Sequence, residues 1–231
     1  MANNINHVNY MPTETTINHI AQTQPDQFFC KRPSDFIGPA GGTAKILTRK
    51  ADALRQARKG TAKILLHGPP GTGKTELAKM LAKQLAGEAT NIETFSGRSV
   101  LIESVRKWQE SVHYYRPLFG LFNVKIVNEL DTVPDEARDA LLQYLDEMPD
   151  QTAFIGTSNA LEKFEERFCT RLQRFRVDAP TADQIFALLR RWELPDPVLK
   201  EIARRSGGNV RKALLDTQSV LDAHLAQIES D

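Results

Sequence analysis

The run Gly68-Pro69-Pro70-Gly71-Thr72-Gly73-Lys74-Thr75 constrains this chain more than any other feature. It follows the apolar stretch Lys63-Ile64-Leu65-Leu66-His67 and precedes Leu77, Leu81 and Leu85, whose i, i+4, i+8 spacing marks one face of a helix. Strand, glycine-rich turn and helix in that order bring backbone N–H groups and the positive end of a helix to one point, an arrangement suited to phosphate. The pattern GxxxxGK[ST] adds an ammonium, Lys74, for the β and γ phosphates and a hydroxyl, Thr75, for Mg²⁺. The expectation is a nucleotide site lined by Gly68, Pro69, Pro70, Gly71, Thr72, Gly73, Lys74, Thr75 and Glu76.

The rest of the chain repeats the alternation. Short apolar runs at Ile92 to Phe95, Val124 to Val127, Ala153 to Gly156 and Phe175 to Val177 are separated by helical patterns such as Ala137, Leu141, Leu142 and Leu145. Five strands alternating with helices predict an α/β fold, a mainly parallel sheet covered on both faces. After Pro180 the strand signal stops. Ile185, Leu188 and Leu189, then Val198, Leu199 and Ile202, then Val210, Leu214 and Leu221 predict a small all-helical lid. The expected organisation is a polar, flexible tail over residues 1–30, an α/β domain over 31–178 and the lid over 179–231.

Composition narrows the function classes. The formal charge is +1, so a nucleic-acid contact would need a local basic patch. Cys30 and Cys169 form no CxxC pair and have no suitably spaced His, which indicates neither a disulfide framework nor a zinc site. With no apolar run of about 18 residues and no leader pattern, a cytoplasmic protein without a membrane partner is expected.

Hydrolysis needs acids at the end of a neighbouring strand. Lys125-Ile126-Val127-Asn128-Glu129-Leu130-Asp131 offers them, with Glu129 placed to activate water and Asn128 and Glu129 beside the Mg²⁺ shell; a solvated acidic turn is the alternative.

Taken in order, RPSDFIGP, GPPGTGKT, the acidic strand end, GTSN and GGNVRKAL resemble the AAA+ ATPases from Lys31 to about Leu225, and within them the clamp-loader branch. The resemblance implies ATP with Mg²⁺, a P-loop fold followed by a lid, and action in an oligomer. It implies a base pocket at Phe36, Ile37 and Gly38, a first sensor at Asn159 and a second at Arg211. In FEERFCTRLQRF it implies a finger arginine acting on the neighbouring subunit, Arg171 first and Arg167 second. The partners implied are copies of the chain in a ring or spiral and DNA, with a protein client as the alternative. The clamp-loader collar has no counterpart here, so assembly would rest on the ATPase domain and lid. Arg98, Arg106 and Lys107 would meet DNA phosphates, and Trp108, Tyr114 and Tyr115 would stack on bases; alternatively Trp108 packs its helix on the sheet.

Asn128 stands where the family has Asp. An amide oxygen still accepts a hydrogen bond from metal-bound water but lacks the charge that makes it strong. Turnover is therefore expected to be slow, or to rely on Asp131. Asn128→Asp should raise the hydrolysis rate and strengthen its Mg²⁺ dependence; an unchanged rate and Mg²⁺ profile would contradict this reading.

Overall fold

The computed structural model describes residues 28, 30–114 and 121–228. They divide into two compact units, one running to Pro180 and one formed by Thr181 onward together with Phe28.

The first unit opens with helix α1, Gly38–Ala57. Strand β1 is Thr61–His67 and helix α2 is Lys74–Ala86. Then come β2, Ile92–Ser96, and α3, Ile102–Tyr114. They are followed by β3, Asn123–Asn128, and α4, Asp135–Glu147. Strand β4 is Thr152–Ser158, and after a single helical turn, Glu166–Cys169, β5 is Gln173–Arg176. All five strands pair in parallel in the order β2-β3-β4-β1-β5. The five-stranded α/β sheet expected from the apolar runs is the one found.

Side-chain alternation explains why the strands read as unbroken apolar runs. Ile64 and Leu66 of β1 pack on one face with Leu47, Leu77, Leu81 and Leu85. Leu65 packs on the other with Trp108, Leu141, Tyr144, Leu145 and Phe154. Both faces are covered, so no position on the central strands is free to be polar without a partner. Trp108 is one of these core residues, its ring 4.8 Å from Phe95 and 5.6 Å from Tyr144. The base-stacking role considered for Trp108 is therefore corrected: helix packing accounts for it. Tyr115 lies outside the described residues, as do residues 1–27 and the side chain of Tyr114.

The second unit is three helices, α5 Ala182–Leu189, α6 Asp196–Arg205 and α7 Val210–Ile228. Thr181 and Gln184 close a capping box at the start of α5, each side chain satisfying a backbone N–H of the other. Leu188, Leu199, Ile202, Leu214 and Leu221 fill the small core. Phe28 meets Trp192 edge to face at 5.9 Å, and the Arg191 guanidinium lies 5.1 Å from the Phe28 ring centre. Phe28, within the segment expected to be a flexible tail, is thus seated on the lid, and Cys30, the last residue of that segment, packs against the core of the first unit. Among the described residues no helix is long and apolar enough to cross a membrane.

One buried charge sits inside the sheet. Lys125 of β3 is buried on the side facing α3 and α4 and pairs with Glu93, its direct neighbour on β2, which is 54% exposed. Removing the acid strands the cation, whereas replacing the cation with an apolar side chain removes the need for a partner. Glu93→Ala should destabilise the fold by about 1–3 kcal/mol, and Lys125→Met should be neutral or stabilising. Chemical denaturation checks both; a Lys125→Met loss exceeding that of Glu93→Ala would contradict the argument.

Candidate functional site

The C-terminal ends of β1, β3 and β4 lie side by side, and the sequence motifs fall on those ends. At β1 the chain leaves the sheet through Gly68. Its N–H donates to the Ser158 carbonyl at 3.3 Å, while the Val177 N–H donates to the His67 carbonyl at 2.8 Å. Gly68 has φ +142°, and a Cβ there would run into the Val177 carbonyl oxygen, so only glycine fits. Gly71 and Gly73 also take positive φ, 75° and 93°, which turns the loop back onto the start of α2. The buried Thr72 hydroxyl donates to the Pro69 carbonyl at 3.0 Å and braces the turn from within.

Lys74 is 7% exposed, and its ammonium donates to the carbonyls of Gly68 at 2.8 Å and Pro69 at 2.6 Å. The cation is thus folded over its own loop, with Thr75 and Glu76 following in the first turn of α2, where Glu76 pairs with Lys79. Pro69 and Pro70 are exposed at the loop's tip. Phe36 lies beside this loop, its ring 3.8 Å from the place a Gly73 Cβ would take. Phe36 is 8% exposed and belongs to the core, so its ring supports the loop from behind; Ile37 and Gly38, half-buried at the start of α1, are the more open part of that segment.

The acid turn comes from β3. Register places Val127 opposite Gly156, and beyond that pair the two strand ends are joined by side chains. The buried Thr157 hydroxyl donates to Asn128 Oδ1 at 3.3 Å and accepts the Glu129 N–H at 3.2 Å. Glu129 is exposed and sits in the left-handed region at φ +53°, a conformation that costs energy for a residue with a side chain and turns the chain sharply off the strand. Gly97, at the end of β2, allows that turn because a Cβ there would strike the Glu129 carbonyl. Asn159 is exposed immediately after β4, and the His67–Ser158 register sets it next to Gly68.

The structure therefore brings the phosphate loop, Asn128, Glu129 and Asn159 to one edge. It gives the arginines other company. Arg171 Nε donates to both carboxylate oxygens of Asp146, at 2.8 and 2.9 Å, and its Nη1 to the Arg167 carbonyl at 2.6 Å. That bond holds the Asp146 carboxyl below its ordinary range. Arg167 pairs with Glu165 at 2.6 Å and Asp139 at 3.0 Å. Arg211 is exposed in the first turn of α7, in the other unit. Three participants escaped the sequence reading: Thr157, Ser158 and His67. All stand beside residues that were singled out, and only the fold shows that Thr157 bonds Asn128 and Glu129, that Ser158 bonds Asp131, and that His67 lies opposite Ser158 at the end of β1.

The electrostatics suit an anion. Burial, then the charges of Arg174 and Arg176, and more weakly Lys74, push the His67 imidazole below its usual pKa, against a small opposing effect of Asp178. Burial is the largest of these effects; the part that Arg174, Arg176 and Lys74 contribute is a positive field, of the sign that suits a phosphate. Among the described residues no group of three or more His, Cys, Asp or Glu side chains could hold a metal by itself. Mg²⁺ at a phosphate takes one or two carboxylates, most of the remaining shell coming from phosphate and water, and the Glu129 carboxylate with the Thr75 hydroxyl and the Asn128 amide are oxygen donors of the kind it accepts.

The model of the AAA family, the ATPase family associated with various cellular activities, matches residues 64–180. Curated relatives include DNA polymerase III subunit tau/gamma of Haemophilus influenzae, 26% identical over 82% of this chain and 31% of that protein. Replication factor C small subunit 2 of Pyrobaculum arsenaticum is 27% identical over 65% of this chain and 50% of that one. The chain thus spans a third to a half of the length of these relatives. The solved structure of the Thermotoga maritima RuvB Holliday junction branch migration motor shares the fold with a TM-score of 0.64 at 21% identity, covering 84% of this chain and 65% of that chain.

His67 should titrate below about 6.5, the ordinary histidine value. Addition of Mg·ATP should raise it, because the bound polyanion offsets the neighbouring cations. Proton NMR of the imidazole checks this; a value already at 6.5 or above, or one indifferent to nucleotide, would contradict the site's predicted field.

Proposed function

Because the matched segment is half of its length, the chain belongs to the AAA family of ATPases, and from that premise we propose that it binds ATP with Mg²⁺ at the Gly68–Thr75 loop and hydrolyses it within an oligomer, so as to load or remodel a complex on DNA. The observation that carries the chemistry is the shared edge of β1, β3 and β4, where the glycine loop, Lys74, Glu129 and Asn159 converge.

In this reading Thr75, Asn128 and Glu129 would hold Mg²⁺, which would supply charge neutralisation at the phosphates when bound. Lys74 exchanges the Gly68 and Pro69 carbonyls for β- and γ-phosphate oxygens, replacing weak acceptors with charged ones. Glu129, exposed and held by its backbone, orients the attacking water. Asn159 donates to the γ-phosphate, Arg211 approaches it from the lid, and the segment Phe36, Ile37 and Gly38 borders the base. Arg171 acts on the neighbouring subunit's nucleotide and leaves Asp146 to do so; Arg167 is the second candidate. The exposed Arg98, in the turn after β2, and the exposed Arg106 and Lys107 of α3 supply the phosphate contacts to DNA.

One observation favours a second reading, a slowly hydrolysing assembly or switch subunit, with a protein client in place of DNA as the related alternative. Asn128 brings no charge to the metal, and its Oδ1 already accepts the Thr157 hydroxyl. That leaves Glu129 as the acid of the turn that faces solvent.

Steady-state ATP hydrolysis, with and without single-stranded, duplex and primed DNA, separates these readings. Lys74→Ala should abolish turnover. Arg171→Ala should do so as well, yet keep nucleotide binding, and it should recover part of its turnover when mixed with Lys74→Ala subunits, which still carry the arginine. DNA stimulation lost in both variants supports the DNA-directed motor; a flat rate, indifferent to DNA, supports the assembly subunit and contradicts the leading proposal.

A further inference from the structure

The turn after β3 carries a second acid, Asp131, which the chemistry above leaves without a role. With 9% of its side chain exposed it is far more buried than Glu129. Both of its oxygens are engaged: the Ser158 hydroxyl donates to Oδ1 at 2.7 Å, and the Lys163 ammonium lies 3.8 Å from Oδ2.

Ser158, the last residue of β4, is 1% exposed and fully engaged. Its hydroxyl gives its proton to Asp131 and accepts the Ala160 N–H at 2.9 Å, while its carbonyl accepts the Gly68 N–H at 3.3 Å. One residue thus joins the acid turn, the start of the phosphate loop and the bend on which Asn159 sits. From the other side, Thr132 fixes the same turn to Glu129: its N–H and its hydroxyl donate to the Glu129 carbonyl at 2.8 and 2.7 Å. The register between β3 and β4 ends at Val127 and Gly156, so past that point these side-chain bonds hold the two strand ends in step.

We propose that Asp131 is a positioning residue of the ATPase site, which acts through the Ser158 hydroxyl to keep Glu129 and Asn159 in register with Gly68. A carboxylate accepting from a hydroxyl forms a charge-assisted bond, and burial protects it from competition with water. The hydroxyl, with proton and lone pair both used, cannot rotate to a second arrangement. In this proposal Asp131 orients the groups that act, where the alternative expectation has it supply the charge missing at Asn128; the Mg²⁺ half-saturation below separates the two. This rests on the ATPase reading given above.

The test compares Asp131→Ala, Asp131→Asn and Ser158→Ala for kcat, the KM for ATP, Mg²⁺ half-saturation and thermal unfolding, with Lys74→Ala alongside. Asp131→Ala should lower kcat by about ten- to a hundredfold, the effect of a small misplacement of reacting groups. The KM for ATP should stay within about twofold and the Mg²⁺ half-saturation should not move, since the phosphate loop and metal partners are untouched. Asp131→Asn keeps an acceptor for Ser158 and should recover most of the rate. Ser158→Ala should match Asp131→Ala, and the double variant should be no worse than either. A shifted Mg²⁺ half-saturation, additive losses, or a lowered Tm with unchanged kcat would each overturn the proposal. Where Asp131→Ala does not fold, Asp131→Asn and Ser158→Ala carry the comparison. Full turnover in Lys74→Ala would instead remove the ATPase reading itself.

Discussion

The structure depends on how β1 leaves the sheet. At that point the backbone is held from both sides, by the Ser158 carbonyl on β4 and by the Val177 N–H just past β5, and the gap between them admits no side chain at Gly68. A central strand flanked by two parallel neighbours has no freedom to shift register without breaking both ladders. The phosphate loop therefore inherits its position from a strand held inside the sheet between β4 and β5. Phe36 behind Gly73 and Thr72 within the turn then fix its shape.

The same rigidity explains how an exposed acid can be placed accurately. Glu129 makes no side-chain hydrogen bond of its own that the geometry depends on; its main chain is fixed by Thr157, by Thr132 and by the space that Gly97 leaves. Its left-handed conformation is a local strain tolerated because those contacts leave no alternative. The carboxylate is thus free to meet water while its origin does not move. Asp131 has the complementary character, buried and bonded, and what it contributes is the relation between two strand ends.

Much of this was legible in the sequence, for physical reasons. Strands covered on both faces must be apolar at nearly every position, so Ile64 to Leu66 and Ala153 to Ile155 announced themselves; the glycine loop needed backbone conformations that few other residues adopt. What remained hidden depended on register between distant segments. Nothing in the order of residues shows that Thr157 faces Asn128 or that Ser158 faces Asp131, and the packed alternative for Trp108 does not name Phe95 and Tyr144 as its partners. The partners of Arg167 and Arg171 were equally invisible, because Asp139 and Asp146 belong to α4, more than twenty residues upstream.

The central claim is that Gly68 sets the phosphate loop. Equilibrium binding of a non-hydrolysable Mg·ATP analogue to the wild-type chain and to Gly68→Ala, at a temperature where circular dichroism shows both folded, tests it most directly. The added methyl must displace the loop against the Val177 carbonyl, so affinity should fall by at least about tenfold, a loss of roughly 1.4 kcal/mol. Equal affinity in a folded Gly68→Ala protein would contradict the account.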